Sequence, residues 1–279
     1  MLFRSQQNTP TGQKLSSRNK TTNTETVINS DAFYASCERW FTNRDQTPFE
    51  FQRATWRAMA TGRDGLLHAP TGTGKTRAAW FGGLCRSFAV PTQHKKMGIR
   101  IIWVTPLRAL AADTARSLEE PLADLNEMLG SRWQVGTRTG DTTTADRRRL
   151  RQNWPQALIT TPESLSILLS LEDSQEIFSD LDTVIVDEWH ELLGTKRGIQ
   201  TELALSRLRA IRPKMITWGL SATLSNLNEA IATLVGPRRR DHAKLIEANT
   251  PRKLEFSTII PNPDRKSTRL NSSHTVISY

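Results

Sequence analysis

At 279 residues, with 37% hydrophobic and 24% charged residues, the chain has the composition of a globular protein and room for one large domain or two small ones. Its net charge of +10 favours a polyanionic partner, although a basic enzyme without one would carry the same balance. Two cysteines, Cys37 and Cys85, far apart in sequence, exclude a disulfide framework and a Cys-spaced zinc site. No apolar run is long enough to span a bilayer and the start lacks a secretory h-region, though its acid-free, Ser/Thr-rich beginning weakly imitates a transit peptide. A reducing, cytoplasmic setting without a membrane partner is expected.

In chain order, Met1 to Ser5 match the translated complement of a sequencing-adapter end, and residues 6–30 are polar and expected to be disordered. At the other end, DRKSTRLNSSHTVISY at 264–279 resembles translated adapter DNA, with no apolar periodicity. Both ends are therefore set aside as artefacts, and what lies between them is still basic.

From Asp31 onward, helical patterns alternate with short apolar runs, which predicts a mainly parallel α/β sheet with helices on both faces. Strands are expected at 65–69, 100–105, 157–160, 183–187 and 215–220, and helices at 76–88, 108–128, 163–170 and 200–209, among others. Each strand ends at a polar motif, and ligands of open α/β sheets bind beyond the carboxyl ends of the strands.

Just upstream of the first strand, Phe49-Glu50-Phe51-Gln52 offers an amide suited to the N6 and N7 edge of adenine and an aromatic ring, Phe49, able to stack on it, although core packing is the default for either Phe. The strand at 65–69 runs into Ala-Pro-Thr-Gly-Thr-Gly-Lys-Thr at 69–76, a phosphate-binding loop opening a helix, with Ala69 where the general pattern has Gly. Thr71, Gly72, Thr73 and Gly74 would turn backbone N–H groups toward phosphate oxygens. Lys75 would supply charge to the β and γ phosphates, and Thr76 a hydroxyl to Mg²⁺. ATP and Mg²⁺ are the expected cofactors.

A second site must complete the first. The strand at 183–187 ends in Asp187-Glu188-Trp189-His190, where Asp187 would hold Mg²⁺ through water and Glu188 would polarise the attacking water; alone, the acidic pair is equally a solvated turn. After the strand at 215–220, Ser221-Ala222-Thr223 places Ser221 and Thr223 where they could hydrogen-bond to the acidic motif, with His190, and couple to the γ-phosphate state. Nucleic-acid contacts are expected at other strand ends: Thr105, Pro106 and Arg108; Thr139 and Gly140; Thr161, Pro162 and Glu163. Taken singly, each of these is equally a helix cap. The arginine runs 147–149 and 238–240 read more readily as solvated faces.

With TPLRALAAD at 105–113, TGDT at 139–142, TTPESL at 160–165, DEWHELLG at 187–194, KRG at 196–198 and GLSAT at 219–223, in that order, the chain resembles the large helicase-related (Lhr) DEXH-box helicases of superfamily 2. Among them it looks most like the ligase-associated DNA-damage-response helicases of bacteria, over roughly residues 33–261. The resemblance implies a first RecA-like ATP-binding domain at 31–240. Residues 241–263 would begin the connection to a second RecA-like domain carrying arginine fingers, and that domain and those following it would not fit after Pro261. It further implies ATP-driven 3′-to-5′ translocation on single-stranded DNA, unwinding of duplex-containing DNA and a role in DNA repair, with the isolated first motor domain only feebly active. Other readings remain open: an RNA helicase or RNA-remodelling ATPase, which the 2′-OH would distinguish, or a non-catalytic nucleotide- and nucleic-acid-binding module.

Overall fold

The computed structural model describes residues 30–90 and 98–248. The adapter-like ends, the polar stretch before residue 30 and the connection after residue 248 lie outside them. Seven strands, β1 (Gly65–His68), β2 (Ile101–Val104), β3 (Val135–Arg138), β4 (Ala157–Thr160), β5 (Thr183–Val186), β6 (Ile216–Ser221) and β7 (Lys244–Glu247), form one sheet in the order β3-β4-β2-β5-β6-β1-β7. Every pairing is parallel.

The strands expected from apolar runs are the interior ones. They are buried on both faces, so they read as unbroken hydrophobic segments such as IIWV and TVIV. The two edge strands were not expected. β3 (VGTR) is half-buried and β7 (KLIE) largely exposed, so neither carries an apolar run, and pairing with β4 and β1 makes them strands. The sheet thus runs past the domain boundary expected at residue 240.

The principal helices are α1 (Ser30–Thr42), α2 (Glu50–Ala60), α3 (Lys75–Ala89), α4 (Arg108–Leu129), α5 (Thr144–Gln152), α6 (Pro162–Leu169), α7 (Ser174–Ile177), α8 (Trp189–Leu192), α9 (Lys196–Ile211) and α10 (Leu227–Val235). Alternation of side chains along the strands divides the core in two. Ile101, Trp103 and Ile185 pack with α1 to α4, while Ile102, Val104, Val184 and Val186 pack with α6 and α8 to α10. The tryptophan-rich composition is spent largely in the first layer, where Trp40, Phe41, Trp56 and Phe81 meet at ring-centroid distances of 5.1 to 5.9 Å.

At the amino ends of the strands, away from the motifs, Arg100 and Asp182 form a buried pair, and Arg100 also donates to the Ser87 and Val90 carbonyls at 2.7 Å. Arg239 pairs there with Asp64, so this member of the 238–240 run is structural rather than part of a solvated face. That leaves the carboxyl ends of the strands for chemistry.

Candidate nucleotide site and nucleic-acid edge

β1 ends at His68, and the chain turns through residues 69–74 into α3. Gly72 and Gly74 have φ of +80° and +91°, a left-handed conformation that a side chain disfavours. A Cβ on Gly74 would also lie 2.7 Å from Gln52 Nε2. The Lys75 side chain curls back into the loop, donating to the Ala69 carbonyl at 2.7 Å and the Pro70 carbonyl at 3.1 Å, while Thr73 Oγ1 donates to Pro70 at 2.7 Å. A buried ammonium, a glycine-rich turn and the amino end of α3 therefore coincide, the local electrostatics of an anion site. Thr76 is the second residue of α3 and half-buried.

Gln52 is buried, with both ends of its amide engaged inside the protein: Oε1 accepts from the Phe49 N–H at 2.8 Å and Nε2 donates to the Gly74 carbonyl at 3.2 Å. Phe49 is half exposed and stacks on Phe51 at 5.7 Å. The sequence pointed to the base-reading chemistry of the amide and missed this bond to the phosphate loop.

Two strands away, β5 delivers Asp187. Its Oδ1 accepts from the Glu188 N–H at 2.9 Å and its Oδ2 from the Trp103 indole N–H at 3.2 Å. Burial, and then the neighbouring Glu188 charge, push the Asp187 carboxyl up to about 6 against the pull of these bonds and of Lys75. Glu188 follows with φ of +43°, one of two non-glycine residues in the left-handed region among the described residues, where backbone strain is on the order of 1 kcal/mol. Its Oε2 is buried without a hydrogen bond, 3.4 Å from His190 Nδ1. The same nitrogen lies 3.4 Å from Ser221 Oγ at the end of β6. Glu188, His190 and Ser221 thus form a contact chain, and Thr223 stands exposed just beyond. Trp189 anchors the segment by donating to the Ala230 carbonyl at 3.0 Å.

The other expected residues gather on the β3-β4-β2 half of the same edge. Thr105, Pro106, Thr139, Thr161 and Pro162 are buried and serve local structure. Thr105 Oγ1 donates to the Leu107 carbonyl at 3.4 Å, Thr139 Oγ1 accepts from the Asp141 N–H at 3.3 Å, and Thr161 caps α6. Arg108 and Gly140 are exposed and adjacent: Arg108 pairs with Asp141 at 3.2 Å, and a Cβ on Gly140 would meet its guanidinium at 2.8 Å. Glu163 is held by Arg197 at 2.5 and 3.2 Å. Burial pushes its carboxyl up, but the bonds from Arg197, from its own backbone N–H and from Thr161, together with the Arg197 charge, outweigh this and the net shift is downward. As a side chain Glu163 is therefore an ion-pair partner, since an anion does not grip a phosphate. Trp103 and Arg197 had no role legible from the sequence alone. The signals were Trp103's place two residues before Thr105 on one strand face and Arg197's place in the KRG segment.

A family model described as DEAD/DEAH box helicase matches residues 49–230, from the Phe49 cap to α10. The chain belongs to that family. It is 36% identical over 220 residues to the Lhr helicase/uracil glycosylase of Escherichia coli K12, covering 75% of this chain and 14% of that protein. With the ATP-dependent helicase Lhr-Core of Methanocaldococcus jannaschii it shares 34% over 234 residues, covering 81% of this chain and 27% of that protein. Among solved structures, Mycobacterium smegmatis helicase Lhr bound to ssDNA and AMP-PNP superposes with a TM-score of 0.69 at 32% identity, covering 84% of this chain and 30% of the other. The expected Lhr-type affiliation and RecA-like sheet are both met, and the chain spans only 14 to 30% of the length of those relatives.

Proposed function

We propose that the chain is the first motor domain of an ATP-dependent DNA helicase that moves 3′-to-5′ on single-stranded DNA, opens duplex-containing DNA and acts in DNA repair. The observation that carries this reading is the convergence of buried Lys75 with half-buried Asp187 and Glu188 at the carboxyl edge of the sheet, with Glu188 joined through His190 to Ser221.

Thr76, Asp187 and Glu188 are hard oxygen donors, and the buried Glu188 Oε2 without a hydrogen bond suits an ordered water, so the residues fit Mg²⁺ with ATP. Thr76 and Asp187 would hold the ion, Asp187 through water. The ion supplies charge neutralisation at the β and γ phosphates. Lys75, drawn from the loop carbonyls, balances the remaining phosphate charge. Glu188 orients the attacking water and takes its proton as the terminal phosphate departs. Movement of that phosphate changes what Glu188 faces, and His190 and Ser221 carry the change to β6. Gln52 and Phe49 meet the adenine end. On the β3-β4-β2 edge, Arg108, Gly140 and the amino ends of α4 and α6, which begin beyond Pro106 and Thr161, meet the sugar-phosphate backbone, with Thr105, Thr139, Pro162 and Glu163 setting the shape of that surface.

A second RecA-like domain would supply the opposite wall and its arginines. The chain by itself should bind ATP with Mg²⁺, hydrolyse it slowly and not unwind DNA. Glu188→Gln should retain binding of a non-hydrolysable analogue while lowering turnover, measured in the longer protein, about 100-fold or more. Near-normal turnover would remove Glu188 from this role. Matched DNA and RNA strands in the same ATPase assay test the polymer: equal or greater stimulation by RNA would favour RNA remodelling.

A further inference from the structure

The Trp103 indole is buried in the middle of β2, yet its polar atom reaches across to β5. In the sheet register Trp103 lies opposite Ile185, so Asp187, two residues on, is its diagonal neighbour on the same face of the pleat. That geometry lets a long flat side chain run along the sheet and place its N–H under the carboxylate. The need to satisfy a buried indole is a weak reason for the arrangement here, because the Nε1 atoms of Trp56, Trp80 and Trp133 are buried without a hydrogen-bond partner.

The consequence falls on Asp187. Its oxygens are tied to two different elements, Oδ1 to the backbone N–H of Glu188 and Oδ2 to β2. Two such bonds fix the rotamer and the plane of the carboxylate, and each oxygen keeps lone-pair capacity for a further partner. The bond from Trp103 is the one that comes from outside the acidic motif.

We propose that Trp103 is a positioning residue for Asp187, its indole N–H holding the carboxylate in the orientation that serves the divalent-cation side of the nucleotide site. This rests on Asp187 having that role. Trp103 also packs in the cluster that includes Ala111 and Ala115 of α4, so its ring is structural as well, and the N–H must be tested apart from the ring.

Trp103→Phe removes the donor and keeps an aromatic filling. Replacement by 3-benzothienylalanine, which exchanges the N–H for sulfur at nearly the same volume, serves if the Phe variant folds poorly. The measurement is binding of a fluorescent non-hydrolysable ATP analogue to the full chain, titrated with Mg²⁺ and repeated in chelator, beside Asp187→Ala and the double variant. Loss of one hydrogen bond to a charged group should raise the half-saturating Mg²⁺ concentration on the order of tenfold, with metal-free affinity unchanged. In the Asp187→Ala background, loss of the N–H should add nothing. If Asp187→Ala shifts the Mg²⁺ dependence and neither Trp103 replacement does, the positioning role falls and the role of Asp187 stands. If the replacements weaken metal-free binding equally, Trp103 acts through packing and the proposal is overturned. If Asp187→Ala leaves the Mg²⁺ dependence unchanged, both fall.

Discussion

The Gln52 amide joins the start of α2 to the last residue of the phosphate loop, accepting from the Phe49 N–H at 2.8 Å and donating to the Gly74 carbonyl at 3.2 Å. These bonds use one lone pair of its oxygen and one of its two N–H groups, leaving the other of each for an adenine edge. The internal bonds therefore orient the amide rather than exhaust it.

Gln52→Ala should lower stability by roughly 1–2 kcal/mol, because two buried hydrogen bonds are lost, and weaken ATP binding about tenfold. Binding of GTP should fall less. Thermal denaturation and a comparison of ATP and GTP affinities check this; equal loss for both nucleotides would reduce Gln52 to a brace for the loop.

Asp187 carries an electrostatic cost at the proposed cation site. Its carboxyl is raised to about 6, so the folded protein holds that proton more tightly than the unfolded chain, whose Asp titrates near ~4. The penalty is absent below pH ~4, develops as pH rises to about 6 and is constant above that. Asp187→Asn should thus stabilise the chain by roughly 2 kcal/mol at pH 7.5 and not at pH 4, while abolishing Mg²⁺-dependent nucleotide binding. Urea denaturation at the two pH values is the measurement, and a stabilisation independent of pH would contradict the assignment.

Arg108 lies exposed on the β3-β4-β2 edge beside Gly140, and its ion pair with Asp141 is solvent-exposed and so worth little. Arg108→Ala should leave the melting temperature nearly unchanged and weaken binding of single-stranded DNA. The slope of log affinity against log salt should shrink by about 1, the signature of one lost phosphate contact. An unchanged slope would place the strand elsewhere.

Gly198 sits where α9 begins, and a Cβ there would lie 2.0 Å from the Leu192 carbonyl oxygen. That oxygen belongs to the backbone at the end of α8 and cannot swing aside. Gly198→Ala should destabilise the domain by about 2–3 kcal/mol, read from its denaturation midpoint. A change within about 0.5 kcal/mol would show that the α8–α9 junction repacks freely.

Much of the nucleotide half was legible because its chemistry is local. Gly72, Gly74, Lys75 and Thr76 lie within a few residues of one another at a strand-to-helix turn, and Asp187 and Glu188 end a continuous apolar run. The half proposed to meet the strand was less so. Thr105, Thr139 and Thr161 look in sequence like phosphate ligands, whereas in the fold their hydroxyls are buried and used locally. Glu163 looks like part of the same surface, but it is claimed by Arg197 from another helix.

The sequence by itself determined the parallel α/β class, the interior strands and the phosphate loop, because double-sided burial and tight turns leave their mark in consecutive residues. Only the tertiary structure decided that β3 and β7 close the sheet, that Gln52 donates to Gly74 of the loop, and that Trp103 donates to Asp187. The reason is physical: an edge strand is defined by its neighbour's hydrogen bonds, and a side chain 84 positions from its partner is placed by sheet register, which no local pattern encodes.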